Sequence, residues 1–249
     1  MLYGIKDCAN LKVFSNETQN LRLWANYART SDLTFESEAV YAHNKTTRAI
    51  RWDNERTGTF TTTFEVFNMD VVAMLFGTEL ASATTDWCKC AVLPVVSGVA
   101  TLPEAPKTGS LKVYLTDSSG TIVGVEQTEG EPTTAPNTYS LSDQTLTLNS
   151  TTTFAEDGYV LVTYMLETQT NSFVVNSAKF PGGYHLYGDT FIRDTLQNDT
   201  AVQFELPNIK PQSNVSLSMN VENVTTLSVT WDILANANGD QLLWHQATE

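Results

Sequence analysis

Residues 32–39 read DLTFESEA and residues 59–66 read TFTTTFEV. In the first stretch Asp32, Thr34, Glu36 and Glu38 alternate with Leu33, Phe35, Ser37 and Ala39; in the second Thr59, Thr61, Thr63 and Glu65 alternate with Phe60, Thr62, Phe64 and Val66. Successive side chains of a strand point to opposite faces. Both stretches therefore predict half-buried strands with one apolar face and one face of threonines and carboxylates. A hairpin of this kind forms a wall between a core and water. If copies of it close into a barrel, the inside of that barrel is polar and acidic. A bulge at Ser37 or Thr62 would move every residue beyond it to the other face.

The remainder of the chain reads as strands broken by Gly, Pro, Asn and Asp, which makes it a mainly β protein. Helical periodicity occurs once: Asn68 caps a short helix with Asp70 in its first turn, the apolar residues Val71, Val72, Met74, Leu75 and Phe76, and a stop at Gly77. Between Ala91 and Thr168 short strands and turn signals crowd together. Leu111–Thr116 and Thr121–Val125 flank the turn at 117–120, Tyr139–Leu141 and Thr145–Leu148 flank 142–144, and Tyr159–Leu166 closes the set. That spacing predicts a small immunoglobulin-like β-sandwich over 91–168, with 126–137 as an exposed loop. Strands resume at Phe173–Val175, Tyr184–Ile192, Ala201–Leu206, Val215–Met219, Leu227–Leu234 and Gln241–Trp244. The expected organisation is a discontinuous β domain, 1–90 with 169–249, carrying 91–168 as an insertion; two tandem domains are the alternative.

Composition limits the function. The chain has 249 residues, 41% hydrophobic and 17% charged, which is the balance of a folded globular protein. With 14 basic against 28 acidic residues its net charge is −14. Such a surface repels nucleic acid and anionic membrane. The start MLYGIKDCAN reads as no signal peptide, and no run approaches a membrane span. Cys8, Cys88 and Cys90 are an odd number, as in a reducing compartment, and with His43, His185 and His245 scattered they offer no metal site. No GxSxG, HExxH, phosphate-loop or dinucleotide motif occurs, so neither a catalytic residue nor a cofactor is expected. Pro181–His185 reads as a turn.

The segment between the two strands differs in character. Residues 43–56 hold Lys45, Arg48, Arg51 and Arg56, four of the 14 basic residues, with Trp52 and Asp53 among them. It reads as a loop. One reading is a solvated hairpin end whose cations keep a strand edge from mispairing. A second is a contact loop meeting an acidic surface on another copy, with arginine for bidentate pairing and Trp52 as anchor; direct DNA binding is a third, disfavoured by the negative field around it.

The run TTRAIRWDNERTGTFTTTFEVFNMDVVAMLFGTEL at 46–80, then SAKFPGGYHLYGDTFIRD at 177–194, AVQFELPNIKPQSNVSLSMN at 201–220 and LSVTWDIL at 227–234, resembles the tail tube proteins of tailed bacteriophages. LKVYLTDSSG at 111–120, NTYSLSDQTLTL at 137–148 and YVLVTYMLET at 159–168 look like the β insertion of some larger phage structural proteins. The resemblance implies a β-sandwich flanked by a helix, hexameric rings stacked into a tube, and long hairpins joined in a barrel around the channel. It implies that Asp32, Thr34, Glu36, Glu38, Thr59, Thr61, Thr63 and Glu65 face the lumen, and that Lys45, Arg48, Arg51, Trp52 and Arg56 make contacts between rings or subunits. The partners it implies are further copies of the chain, other tail proteins with a sheath where one exists, and DNA passing without specific binding. The place is the virion tail, assembled in the bacterial cytoplasm, with the inserted domain on the outside. A capsid decoration protein, the inner tube of a phage-like injection machine and a carbohydrate-binding module are the rival readings.

Overall fold

The computed structural model describes residues 2–5, 7–133, 135–149, 157–213, 215–217 and 224–248. In chain order the first elements are β1 (Tyr3–Gly4), β2 (Asn10–Ser15), β3 (Leu21–Ala25), β4 (Ala28–Asn44), β5 (Thr47–Phe64) and α1 (Met69–Leu75). Then come β6 (Ala81–Val96), β7 (Val99–Thr101), β8 (Lys112–Thr116), β9 (Glu126–Glu129), β10 (Thr138–Ser142), β11 (Thr145–Leu148) and β12 (Asp157–Ser172). The last are β13 (Tyr184–Asp194), β14 (Asp199–Pro211), β15 (Ser216–Leu217), β16 (Leu227–Ile233) and β17 (Leu243–Gln246). The chain divides into two units, Met1–Ala81 with Phe173–Glu249, and Ser82–Ser172.

The first unit is one ten-stranded sheet in the order β3-β2-β13-β14-β16-β5-β4, with β1 on β13, β17 on β14 and β15 on β16. Strand β14 serves both halves of this sheet. Its first part pairs with β13 and β17, and Ile209–Pro211 pairs with β16. The core binds the halves through edge-on aromatic contacts, Phe60 with Phe204 at 5.6 Å and Tyr184 with Trp231 at 5.9 Å between ring centroids. Helix α1 adds Val71, Val72, Met74 and Leu75 to the same core. The Asn68 side-chain oxygen accepts from the Val71 N–H at 2.9 Å and starts the helix. At its end Gly77 has φ +68°, and a Cβ there would sit 2.4 Å from the Phe180 carbonyl carbon, so only glycine fits.

In the second unit the sheet closes on itself as β10-β11-β7-β6-β12-β8-β9. The seam is a parallel pairing, Thr138 with Thr128 and Tyr139 with Glu129. Val113, Leu146, Val160 and Val162 fill the interior at complete burial. A closed seven-stranded barrel thus stands where two open facing sheets were expected. The difference lies in 121–137. Thr121–Val125 is no strand; the partner of β8 is Glu126–Glu129, in the segment expected to be a loop, and its Gln127 is buried. Pairing on both its sides is what closes the ring.

Other expectations change in detail. Phe173–Val175 is not a strand, and Phe173 instead stacks on Phe76 at 6.1 Å. The end of the expected strand at Met219 lies outside the described residues. Residues 43–56 are not a loop: β4 runs to Asn44 and β5 begins at Thr47, so Lys45 and Thr46 alone make the turn. Lys45 adopts φ +53° there.

Thr62 is on the apolar face of β5, fully buried, and its hydroxyl has no hydrogen-bond partner among the described residues. A buried hydroxyl without a partner is destabilising by about 1–3 kcal/mol. Thr62→Val is therefore expected to raise the urea midpoint of unfolding, by the equivalent of about 1 kcal/mol.

Candidate functional site

The paired strands β4 and β5 are 17 and 18 residues long, and the register between them decides which side chains share a face. Directly opposed residues of an antiparallel pair lie on one side of the sheet. Near the core the polar face is continuous across three strands. Thr30 opposes Thr63, which opposes Ser228; Asp32 opposes Thr61, which opposes Thr230; Thr34 opposes Thr59, which opposes Asp232. Glu36 opposes Thr57 in the next row. The Thr61 and Thr230 hydroxyls are 3.2 Å apart, and the Gln212 amide donates to Asp232 at 2.7 Å. The other face of these strands carries Phe60, Phe64, Val229 and Trp231 in the core.

Asp32, Thr34, Glu36, Thr59, Thr61 and Thr63 thus share one surface, with no bulge at Thr62. Glu38 stands where the register shifts. Glu65 lies past the end of β5, 3.3 Å from Arg29, and Val66 is exposed, so the alternation expected through 66 stops at Phe64. Thr30 and Thr57, on the same two strands, and Ser228, Thr230 and Asp232, on β16, are the members that the stretches 32–39 and 59–66 alone leave out. Their signal was present: in LSVTWDI at 227–233, Ser228, Thr230 and Asp232 alternate with apolar residues as the threonines of β5 do.

Beyond the core the ladder shifts twice. Ser37 opposes Arg56 but Ala39 opposes Asp53, and Ala42 opposes Ile50 but His43 opposes Arg48. Each shift inserts one extra residue into β5, and each reverses the parity of the side chains beyond it on that strand. Strict alternation would separate Arg48 from Arg51 and Arg51 from Arg56. The two bulges instead bring Arg48, Arg51 and Arg56 to one face, with Tyr41, His43 and Asp53. The Arg48 guanidinium lies 4.3 Å from the centre of the Tyr41 ring, and Arg51 Nε donates to Asp53 at 2.7 Å. Both partners of that ion pair are more than half exposed, so it contributes no more than about 1 kcal/mol. Trp52 falls on the opposite face, opposite Val40. Gln241 ties the root of this segment down by donating to the Arg56 carbonyl at 3.0 Å.

The remaining candidates for chemistry are not gathered into a site. Among the described residues no group of three His, Cys, Asp or Glu side chains could hold a metal ion. Cys8 Sγ lies 2.8 Å from Ser31 Oγ, and Cys88 and Cys90 are exposed free thiols on β6.

The model of the YomU/Tube protein family matches residues 3–242 of the chain. No curated protein matches it.

The polar face depends on how closely β4 and β5 approach at their root. Gly58 opposes Phe35, and a Cβ on Gly58 would meet the Phe35 ring at 2.6 Å and Ile233 Cβ at 3.1 Å. Gly58→Ala is expected to lower stability by about 1–3 kcal/mol through overpacking. Arg51→Ala, which removes an exposed pair, should change it by less than about 1 kcal/mol. Urea unfolding followed by tryptophan fluorescence compares the two.

Proposed function

The chain belongs to the YomU/Tube protein family, a family of structural tube proteins, and we propose that its copies assemble as stacked, sixfold rings into a phage tail tube through which DNA leaves the virion. The observation that carries this reading is the three-strand polar face joined to an unsatisfied edge. Among the described residues β4 is paired along one side only, to β5, and so offers a 17-residue row of backbone donors and acceptors. An edge of that length invites another strand. Addition of a neighbour's sheet extends the polar face from copy to copy, and closure of the ring turns it into a bore lined by Asp32, Thr34, Glu36, Thr57, Thr59, Thr61, Thr63, Ser228, Thr230 and Asp232.

The chemistry of that face suits the cargo. Duplex DNA carries one charge per about 1.7 Å of axis and binds clusters of Lys and Arg tightly. Carboxylates and hydroxyls form a wetted wall that repels phosphate and lets the duplex slide. Four of the 14 basic residues, Lys45, Arg48, Arg51 and Arg56, are instead clustered on the far half of the hairpin, where they meet an acidic surface of another copy between subunits or rings. The virion tail is the place of action, and other tail proteins are the remaining partners.

Purified protein viewed by negative-stain electron microscopy should show rings or tubes with a central hole; dispersed monomers, or discrete particles that bind only a capsid shell, sink the proposal. Reversing Asp32 and Glu36 together to Lys should leave tubes intact and reduce infectivity at least about tenfold by retarding DNA. Full infectivity of that variant removes these residues from the lumen.

A further inference from the structure

We infer that the lumen lining stops at the first β5 bulge, and that beyond it the face bearing Val40, Ala42, Ile50 and Trp52 is covered by a second copy of the chain. This rests on the tube reading and adds to it a division of the hairpin into two parts with different surroundings. Strand β4 has no extra residue at either of the two outer shifts, so Glu36, Val40 and Ala42 lie on the same face of it. Along that face the chemistry changes abruptly. On the core side of the bulge the opposed pair is Glu36 with Thr57; on the far side it is Val40 with Trp52, then Ala42 with Ile50.

Val40, Ile50 and Trp52 are 54%, 53% and 52% exposed. Two adjacent cross-strand pairs make them one contiguous patch. Side chains of this size left in a water-filled bore would forgo most of the free energy of burial. They would also interrupt a wall otherwise made of hydroxyls and carboxylates.

Two features identify the cover as another copy. Val40 and Ala42 belong to the edge strand itself, so a neighbour's strand added along β4 places its own side chains directly beside them. The opposite face of the same segment carries Arg48, Arg51 and Arg56, complementary to a chain with twice as many acidic as basic residues. The far half of the hairpin is therefore amphipathic in the sense a docking arm needs, apolar towards one surface and cationic towards another.

Hydroxyl-radical footprinting read by peptide mass spectrometry, on free subunits and on assembled tubes of the unaltered protein, tests this. Oxidation of Trp52 should fall at least about fivefold on assembly. In parallel, the double variant Ile50→Asp, Trp52→Asp, with wild-type circular dichroism, should need at least about ten times more protein to form tubes. Tubes in which Trp52 is as reactive as in the subunit overturn this inference and leave the tube reading standing. So does unchanged assembly of the folded double variant. Protection that appears only when a different tail protein is added assigns the patch to that partner and overturns it too. Copies that never associate overturn the tube reading itself.

Discussion

The open edge of β4 is the constraint on which the rest of the first unit turns. A strand inside a sheet has a partner on both sides, and among the described residues β2, β13, β14 and β16, with β5 over Gly58–Phe64, all meet that condition. The edge strand β4 does not, over a span longer than any other strand in its sheet except β5. Proteins that stay monomeric blunt such an edge with proline, inward charge or brevity. Here the protective device is partial. The bulges accentuate twist in the far half, while the near half is regular and in register from Thr30 to Ser37. A regular edge backed by a well-packed core is a template for pairing.

Core packing reaches only as far as Phe35, which is half-buried opposite Gly58. Past this point no third strand joins the hairpin among the described residues and both its faces are exposed, a situation in which an isolated two-stranded ribbon is marginal. Cross-strand contacts supply part of the shortfall. Arg48 over Tyr41 and Arg51 with Asp53 sit on exposed surface and are each worth a few tenths to about 1 kcal/mol. Val40, Ile50 and Trp52 could contribute much more, about 1.5–3 kcal/mol for each large side chain fully buried. In the isolated subunit that stabilisation is unrealised, so ordering of the far half and association between copies would be coupled in the proposed tube.

The legibility of these features depends on the range over which each is encoded. Strict alternation is a local property, so β4 and β5 near the core could be read from DLTFESEA and TFTTTFEV, and the cap at Asn68 and stop at Gly77 marked the helix. The closed barrel of the second unit could not be read in that way. Its closure depends on a parallel pairing of Thr128 and Glu129 with Thr138 and Tyr139, and EQTE at 126–129, lying between Gly124 and Pro132, has the composition of a loop. The bulges are invisible for a related reason: an inserted residue is defined by the partner strand, and no residue type in 48–56 announces it. A strand reading of RAIRWDNER would have been blocked by its charge. The ladder of backbone hydrogen bonds to β4 is what overrides that weak preference.

A conduit has to hold its own subunits together without holding what passes through it, and both tasks here fall to a chain of net charge −14. Copies of such a chain repel at long range, but at physiological ionic strength that repulsion decays over about 8 Å. Contacts between copies are then decided by the groups that touch, and basic groups are grouped where β4 and β5 leave the core. Like charges along the polar face never have to be buried, because in the proposed bore they stay hydrated, so the desolvation cost that makes buried ions expensive does not arise. The chemistry that joins and the chemistry that releases are in this way sorted by position along a single hairpin. The sorting is done by an extra residue in β5, which carries Trp52 to the face that strict alternation would have given to Arg51.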